Sequence, residues 1–395
     1  MRVLLVGVGG VGEAIAVTAR DRPWLETMVL ADYDPARARH VGEKLGHTGR
    51  FPVEQVDAAD QAQVERLARK HRVDLVMNAV TCEFNTPIFE AAYAAGCTYI
   101  DMAMADKGAN MGRAQFDAAA RWEERGLLAV LGMGMDPGVS NVFARYAEKH
   151  LFDEIDEIGI RDGAALTIAG HQFAPTFSIY DALEECTDPP LVWEADRGWF
   201  DVEPFSEPEV FDFPEGIGPI ECVNIEHDEV VMIPRWVRCR RVTFKYGLGE
   251  SFINVIKVIK MLGLHGVTPI DVKGAMVKPV DVIAALLPNP ADLGDRMTGK
   301  TCVGTLVTGT RAGRRRQVYL YQSTDNEESM GRYGCQAVSW QTGVGPVIAM
   351  ELIATGAWKG RGVLCPEAFD PDPFLALMPR FDFPWRMVEM DPIRE

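Results

Sequence analysis

The sequence predicts an α/β protein: a doubly wound parallel sheet over residues 1–140, then an α+β region for the remainder. Three observations carry this reading. Up to about residue 140, short apolar runs alternate with amphipathic stretches. Those runs are continuously apolar, as expected of parallel strands buried on both faces. Beyond residue 150 the strands lengthen, turns separate them, and the regular alternation with helices stops.

In order along the chain, "RVLLVGV" reads as a strand and "GEAIAVTARDR" as a helix. "ETMVLADYD" is a second strand, and "PARARHVGEKLG" a helix opened by Pro35 with Asp34 as its N-cap. "RFPVEQVDAAD" and "VDLVMNAV" supply strands three and four, separated by the helix "QAQVERLARKHR". "TPIFEAAYAAG", "CTYIDMA", "RAQFDAAARWEERG" and "LLAVLGMGM" continue as helix, fifth strand, helix and sixth strand. In the second half, "DEIDEIGIRDG", "CRRVTFKYG" and "QVYLYQST" read as strands. "SFINVIKVIKMLG", "VDVIAALLP" and "GVGPVIAMELIATG" read as helices, and Arg314–Arg316 as a charged hairpin turn. The organisation expected is a nucleotide-binding domain at 1–140 and a substrate and dimerisation domain at 141–340. A C-terminal segment, 341–395, is expected to pack back on the first domain.

The chain has 395 residues, with 47% hydrophobic and 25% charged, the balance of an ordinary globular protein. A net charge of −17 argues against binding nucleic acid or an anionic membrane surface. No apolar run reaches the ~18 residues of a membrane span. Glycines interrupt the apolar opening, so it reads as a buried strand rather than a signal peptide. Eight cysteines are scattered without a C-x-x-C pair, which fits neither a zinc site nor a disulfide scaffold and suits a reducing cytoplasm. No His/Cys/Asp spacing suggests a metal.

Gly7, Gly9 and Gly12 form G-x-G-x-x-G where the first strand meets the first helix. Their roles would be the tight turn, backbone approach to a pyrophosphate, and close helix–strand packing, with Gly10 and Val11 adding N–H groups at the helix start. Asp32, at the end of the second strand, can accept from both ribose hydroxyls and would repel a 2′-phosphate, which favours NAD over NADP. Arg37 or Arg39 could still reach such a phosphate. In the loop after strand four, Asn78, Ala79 and Thr81 are candidates for cofactor contact and Asn85 for substrate contact; ordinary turn chemistry is the alternative. Cys82 in the same loop reads as structural.

Asp101, ending the fifth strand, is placed either to bind a substrate ammonium or to cap the next segment. Asp136 and Gly138 in "GMDPGVSN" stand on a loop stiffened by Pro137, where they could line the pocket. Arg241 and Lys245 share one face of a strand and Arg238 and Arg240 the other; one pair could receive a carboxylate, or the face could be solvated. His171, in a polar glycine-flanked loop, is a candidate general acid or base, or simply a loop histidine.

The stretches "LGMGMDPGVSNVFARYAEKHLFDEID", "FDFPE", "VIKMLGL", "PVDVIAALLPNPADLG", "GKTCVGTLVTG", "QTGVGP" and "AFDPDPF" resemble the saccharopine dehydrogenase-like family, and within it the bacterial carboxynorspermidine dehydrogenases. The stretch "TFSIYDALEECTDPPLVWEADRG" looks similar to lysine 6-dehydrogenases of the same superfamily. The resemblance implies a Rossmann domain, a mixed α/β substrate domain that supplies a homodimer contact, and NAD(P)-dependent hydride exchange at a carbon–nitrogen bond. It implies a small amino-acid or polyamine-derived substrate. Asp32–Tyr33–Asp34 departs from the hydroxyl or arginine associated with NADPH-using members, which raises the weight of an NAD-linked amine oxidation such as lysine 6-dehydrogenation. A nucleotide-binding module without catalysis is the alternative from another class.

Overall fold

The computed structural model describes residues 1–46, 49–247 and 249–390. The first half supplies β1 (Arg2–Val6), β2 (Thr27–Asp32), β3 (Val53–Gln55), β4 (Leu75–Asn78), β5 (Thr98–Ile100) and β6 (Leu128–Val130). Between and around them run α1 (Gly10–Ala19), α2 (Pro35–Leu45), α3 (Gln61–His71), α4 (Asn85–Ala95), and the short α5 (Arg113–Asp117) and α6 (Ala119–Glu124). Every residue of β4 and all but the first of β1 are buried, the burial expected when helices cover both faces. Local signals set the helix ends. Asp34 accepts from the Ala36 N–H at 2.8 Å ahead of Pro35, and Gly46 closes α2 in a left-handed conformation.

The second half contributes α7 (Val139–His150), β7 (Glu154–Ile168), α8 (Ile179–Thr187), β8 (Leu191–Glu194), β9 (Gly198–Asp201), β10 (Glu209–Phe213) and β11 (Gly218–Asn224). It continues through α9 (Glu229–Trp236), β12 (Arg241–Gly247), α10 (Glu250–Met261), the hairpin β13 (Ile270–Val272) and β14 (Ala275–Val277), and α11 (Pro279–Leu286). Then come β15 (Met297–Arg311), β16 (Arg314–Asp325), α12 (Asn326–Tyr333), α13 (Ala337–Thr355), β17 (Gly362–Leu364), α14 (Pro371–Leu377) and β18 (Trp385–Met390).

The first sheet has the order β17-β6-β5-β4-β1-β2-β3, parallel throughout. Strand order reverses between β1 and β4, and the crevice for a ligand in such sheets opens at the carboxyl ends of the strands there. The second sheet runs β10-β11-β12-β7-β15-β16-β18, with β8 and β9 attached to β12. It is antiparallel except for the β12–β7 pair.

Two expectations need correction. The C-terminal segment does return to the first sheet, where α13 packs on α1 and β17 pairs beside β6, but β18 joins β16 in the second sheet. The segment therefore ties the two sheets together; its last five residues lie outside those described. The hairpin turn after β15 is Ala312–Gly313, both at positive φ, and the three arginines open β16 instead. Arg316 is held there by Glu389, 2.7 Å away on the neighbouring strand.

Candidate active site

The glycine turn lies at the β1 end of the crevice. Gly7 adopts φ 91°, and a Cβ there would come within 2.6 Å of the Ala79 carbonyl at the end of β4. A Cβ on Gly12 would sit 2.1 Å from the Gly7 oxygen, so helix and turn close on each other. At Gly9 nothing lies within 4 Å of that position. The cradle is thus open where a pyrophosphate has to approach and closed where the backbone has to pack, and the start of α1 presents free N–H groups to it. Asp32 reaches in from β2: one carboxylate oxygen accepts from the Val8 N–H at 2.7 Å, the other from the Asp34 N–H at 2.9 Å. These residues fit a dinucleotide. Gly7, Gly9, Gly10, Val11 and Gly12 would hold its pyrophosphate and Asp32 its adenosine ribose.

A cavity of about 170 Å³ opens beside this cradle. The first turns of α13 connect the two: Ser339 abuts Gly10, while Val338, Gln341 and Thr342 line the cavity. Its floor is one face of the second sheet. Strand alternation brings Asp162, Ala164, Leu166 and Ile168 of β7 to that face. In register, Asp162 stands beside Tyr246 of β12 and Val303 of β15, both in the lining. Asp136 enters from the loop after β6. That loop is fixed by Gly138, at φ 138° and packed on Gly134, and by the Gly138 N–H donating to Asn141 Oδ1 at 2.7 Å.

The electrostatics of the cavity are one-sided, because among the described residues its lining holds Asp136 and Asp162 but neither arginine nor lysine. The two carboxyl groups are within hydrogen-bond reach of each other; burial raises the proton affinity of both, the charge of Asp162 adds to it at Asp136, and at Asp162 the His227 charge and the hydrogen bond with Asp136 oppose it. Glu185 of α8 is likewise raised well above the ordinary carboxyl range, chiefly by burial. Against them stands His227. Burial would lower its pKa, but Glu229, with Oε2 2.5 Å from Nδ1, outweighs that, and Glu185 and Asp136 add to it. The imidazole therefore holds its proton more tightly than a free one. Cys82, raised to about 12 by burial and then Asp181 and Asp228, stays a thiol.

Two family models cover the chain. The saccharopine dehydrogenase NADP binding domain matches residues 3–130, and the saccharopine dehydrogenase C-terminal domain matches 134–381. The chain belongs to the saccharopine dehydrogenase family. It is 33% identical to a carboxynorspermidine synthase of Vibrio alginolyticus, over 99% of this chain and 98% of that protein. It is 28% identical to a carboxyaminopropylagmatine dehydrogenase of a Synechocystis strain, over 99% and 98% respectively. Apo saccharopine dehydrogenase (L-Glu forming) from Saccharomyces cerevisiae has the same fold, with a TM-score of 0.73 at 14% identity over 99% of this chain and all of that one. Membership makes this protein an NAD(P)-dependent oxidoreductase acting on a C–N bond.

Within this saccharopine dehydrogenase fold, the residues singled out from sequence separate into three groups. The glycine turn, Asp32 and the backbone of Ala79 meet at the cradle, and Asp136 reaches the cavity. Several others brace the loops instead. Asn78 donates to Asn85 Oδ1 at 2.8 Å and to the Tyr99 hydroxyl, and Asn85 donates to the Ala103 carbonyl. Thr81 lies 3.4 Å from Glu83. Asp101 is buried, its oxygens accepting from the Gln115 amide and the Gly132 N–H, so it ties β5 to the loop after β6 and lies outside the cavity lining.

The third group points elsewhere. Because Tyr246 faces the cavity, Arg241 and Lys245, of opposite parity, face away. Arg241 pairs with Glu207 at 2.8 Å and Lys245 with Glu209 at 2.9 Å, so neither is free for a substrate carboxylate. His171 lies in the turn after β7, outside the cavity lining. Sequence reasoning missed Asp162, Glu185, His227 and Glu229. The available signal was "EHDE", a histidine enclosed by three acids between a strand and a helix. Among the described residues, no group of three His, Cys, Asp or Glu is arranged to hold a metal, and no helix is long and apolar enough to cross a membrane.

Proposed function

We propose that the protein reduces the imine formed between a carboxylated aldehyde, of the aspartate-semialdehyde type, and the primary amine of a diamine, giving a carboxylated polyamine. The observation that carries this is a cavity whose lining, among the described residues, holds two carboxyl groups and no arginine or lysine, which suits a guest bearing ammonium groups. The bound nicotinamide supplies the hydride. The protein's part is to hold the C=N carbon in the crevice above β1 and β4, with Asp136 and Asp162 receiving the protonated amine. The apolar surface that Val338, Phe177 and Phe252 give the lining disfavours water that would hydrolyse the imine.

For the cofactor we propose NADH over NADPH. Asp32 is aimed at the cradle, and Arg37, which could offset its charge, is engaged by Glu13 at 2.6 Å and the Val8 carbonyl at 2.9 Å. We also infer a homodimer. Met261, Leu262, Val267, Met276 and Leu286 are each more than 60% exposed on α10 and the segment after it, the β13–β14 hairpin and α11. Residues 250–286 carry three acids and four lysines in a chain of net charge −17, so a second copy meets this surface without like-charge repulsion. The eight free cysteines suit a reducing cytoplasm.

The test is consumption of NADH and of NADPH by aspartate semialdehyde mixed with 1,3-diaminopropane, putrescine or agmatine, run beside NAD+ reduction by lysine. Turnover of an aldehyde–diamine mixture, faster with NADH, is expected. Turnover of lysine alone would overturn the substrate reading. In sedimentation, Met276→Asp is expected to give a monomer; a wild-type monomer would overturn the dimer.

A further inference from the structure

Glu13 is the only charged residue of α1, and its side chain is 11% exposed on a helix whose other buried positions are Gly, Ala and Ile. Both of its oxygens are taken by cations of α2. Oε2 accepts from Arg37 Nη2 and Oε1 from Lys44 Nζ, each at 2.6 Å. Arg37 and Lys44 stand seven residues apart, two turns along one face of α2, and their side chains converge on this carboxylate. Lys44 also donates to the Gly334 carbonyl at 2.9 Å. Arg37 donates from Nε to the Val8 carbonyl at 2.9 Å, while the Val8 N–H donates to Asp32 at 2.7 Å. The guanidinium and the Asp32 carboxylate therefore hold opposite ends of one residue in the glycine turn. Arg39, roughly 200° around α2 from Arg37, is exposed. A second cavity, of about 260 Å³, borders the cluster beside Gly10. Among the described residues its lining has three acids, Glu13, Asp292 and Asp295, against the single arginine, Arg37.

We propose that Glu13 is a specificity-determining residue for the cofactor: by engaging Arg37 and Lys44 it withholds both cations from the 2′-phosphate that distinguishes NADPH from NADH. This deepens the NADH reading above and rests on it. Asp32 would hold the adenosine ribose, whose 2′ position carries that phosphate in NADPH. Arg37, bonded to the same residue as Asp32, is the cation placed to meet it. A guanidinium receives a phosphate through two N–H groups of its fork. Here Nε is occupied by Val8 and Nη2 by Glu13, and turning away would strip a half-enclosed carboxylate of one of its two partners. Charge acts in the same sense. The formal charges of Asp32, Glu13, Arg37 and Lys44 cancel, so a phosphate arriving there meets no excess cation. Glutamine at position 13 keeps nearly the same shape, loosens Arg37 and leaves one positive charge in excess. Asp32 is present in either case, so Glu13 adds to its effect.

The experiment is fluorescence titration of the full chain with NADH and with NADPH, for wild type, Glu13→Gln, Arg37→Ala and the double variant Glu13→Gln/Arg37→Ala. In Glu13→Gln the Kd for NADPH is expected to fall about 5- to 20-fold, moving the ratio of the two constants toward NADPH. The gain is expected to shrink as salt is added. In the native background Arg37→Ala is expected to shift that ratio less than about twofold, because the cation is already engaged. In the double variant it is expected to remove most of the gain. An NADPH Kd that stays put or rises in Glu13→Gln would overturn the proposal. So would an equal change for both cofactors, which is what packing, or a charge felt by the shared pyrophosphate, produces. A gain that the double variant keeps intact would also overturn it. Should Glu13→Gln fail to fold, Arg37→Ala decides: a loss of NADPH affinity well beyond that of NADH would mean the guanidinium already serves the phosphate, against the proposal, and an unmoved ratio supports it. If wild type binds NADPH more tightly than NADH, the cofactor reading fails first, which the wild-type titration alone reveals.

Discussion

The two sheets build their sites from different materials. In the parallel sheet the groups of the cradle are mostly backbone: a turn at positive φ, open space at Gly9, and N–H groups at the start of α1, with the Asp32 carboxylate beside them. In the second sheet the working groups are side chains whose charges are unbalanced: Asp136 and Asp162 on the cavity, Glu185 and His227 behind it. A backbone site costs little to keep when its ligand is absent, because its donors can be hydrated. A buried cluster of carboxyl groups is unfavourable until a proton or a cation arrives. In the function proposed above, the first sheet therefore supplies affinity for a cofactor common to many enzymes, and the second supplies the choice of substrate.

The strongest way to break this contrast is Asp162→Asn. Losing the anion that faces the ammonium should lower kcat/KM for the amine by about 10²–10³-fold while leaving NADH affinity within twofold, measured by steady-state kinetics and fluorescence titration. A parallel loss of NADH binding would mean the two sites are not separable. Next in size, Gly9→Ala should weaken NADH binding about tenfold or more while leaving the melting temperature within about 2 °C, because the new methyl group enters open space. A similar drop in melting temperature and affinity would show that the cradle is part of the packing.

Glu367 sharpens the point about buried acids. It is fully buried, its Oε2 has no partner, and burial first, with Glu229 adding, pushes its pKa to about 7. The folded state thus keeps a proton that the unfolded chain releases near pH 4.5, and stability falls as pH rises from there to about 7. Glu367→Gln should therefore be stabilising on the order of 2 kcal/mol at pH 8 and near neutral at pH 5, read from denaturant melts. The smallest effect is expected from Arg241→Ala. Its partly exposed ion pairs lie on the far face of the sheet, so kcat/KM should change less than about threefold and stability by less than ~1 kcal/mol.

The same contrast explains what could be read from the amino-acid order alone. The first six strands of the parallel sheet, the glycine roles, Asp32 and the Asp34 cap are local signals, set by spacing along a few residues. The cavity is not local. Asp162 faces inward only because β7 pairs with β12 and β15 in a particular register, and a shift by one residue would have presented Arg161. The same parity turned Arg241 and Lys245 away, where glutamates on β10 and its approach meet them. His171 looked functional because it stood in a polar loop, whereas His227 is defined by three acids, Glu229, Glu185 and Asp136, from separate parts of the chain. The seventh strand, β17, comes from more than 230 residues beyond β6, too far for any pattern in the first 140 to announce it.

The central claim is most directly tested by a crystal structure of the enzyme with NAD+ and a carboxylated polyamine product such as carboxynorspermidine. The account predicts a nitrogen of the product about 3 Å from the Asp136 and Asp162 carboxyl groups, with the adjacent carbon facing the nicotinamide ring over the β1–β4 crevice. A product seated with its carboxylate toward Asp162, or bound outside the cavity between α13 and β7, would contradict it.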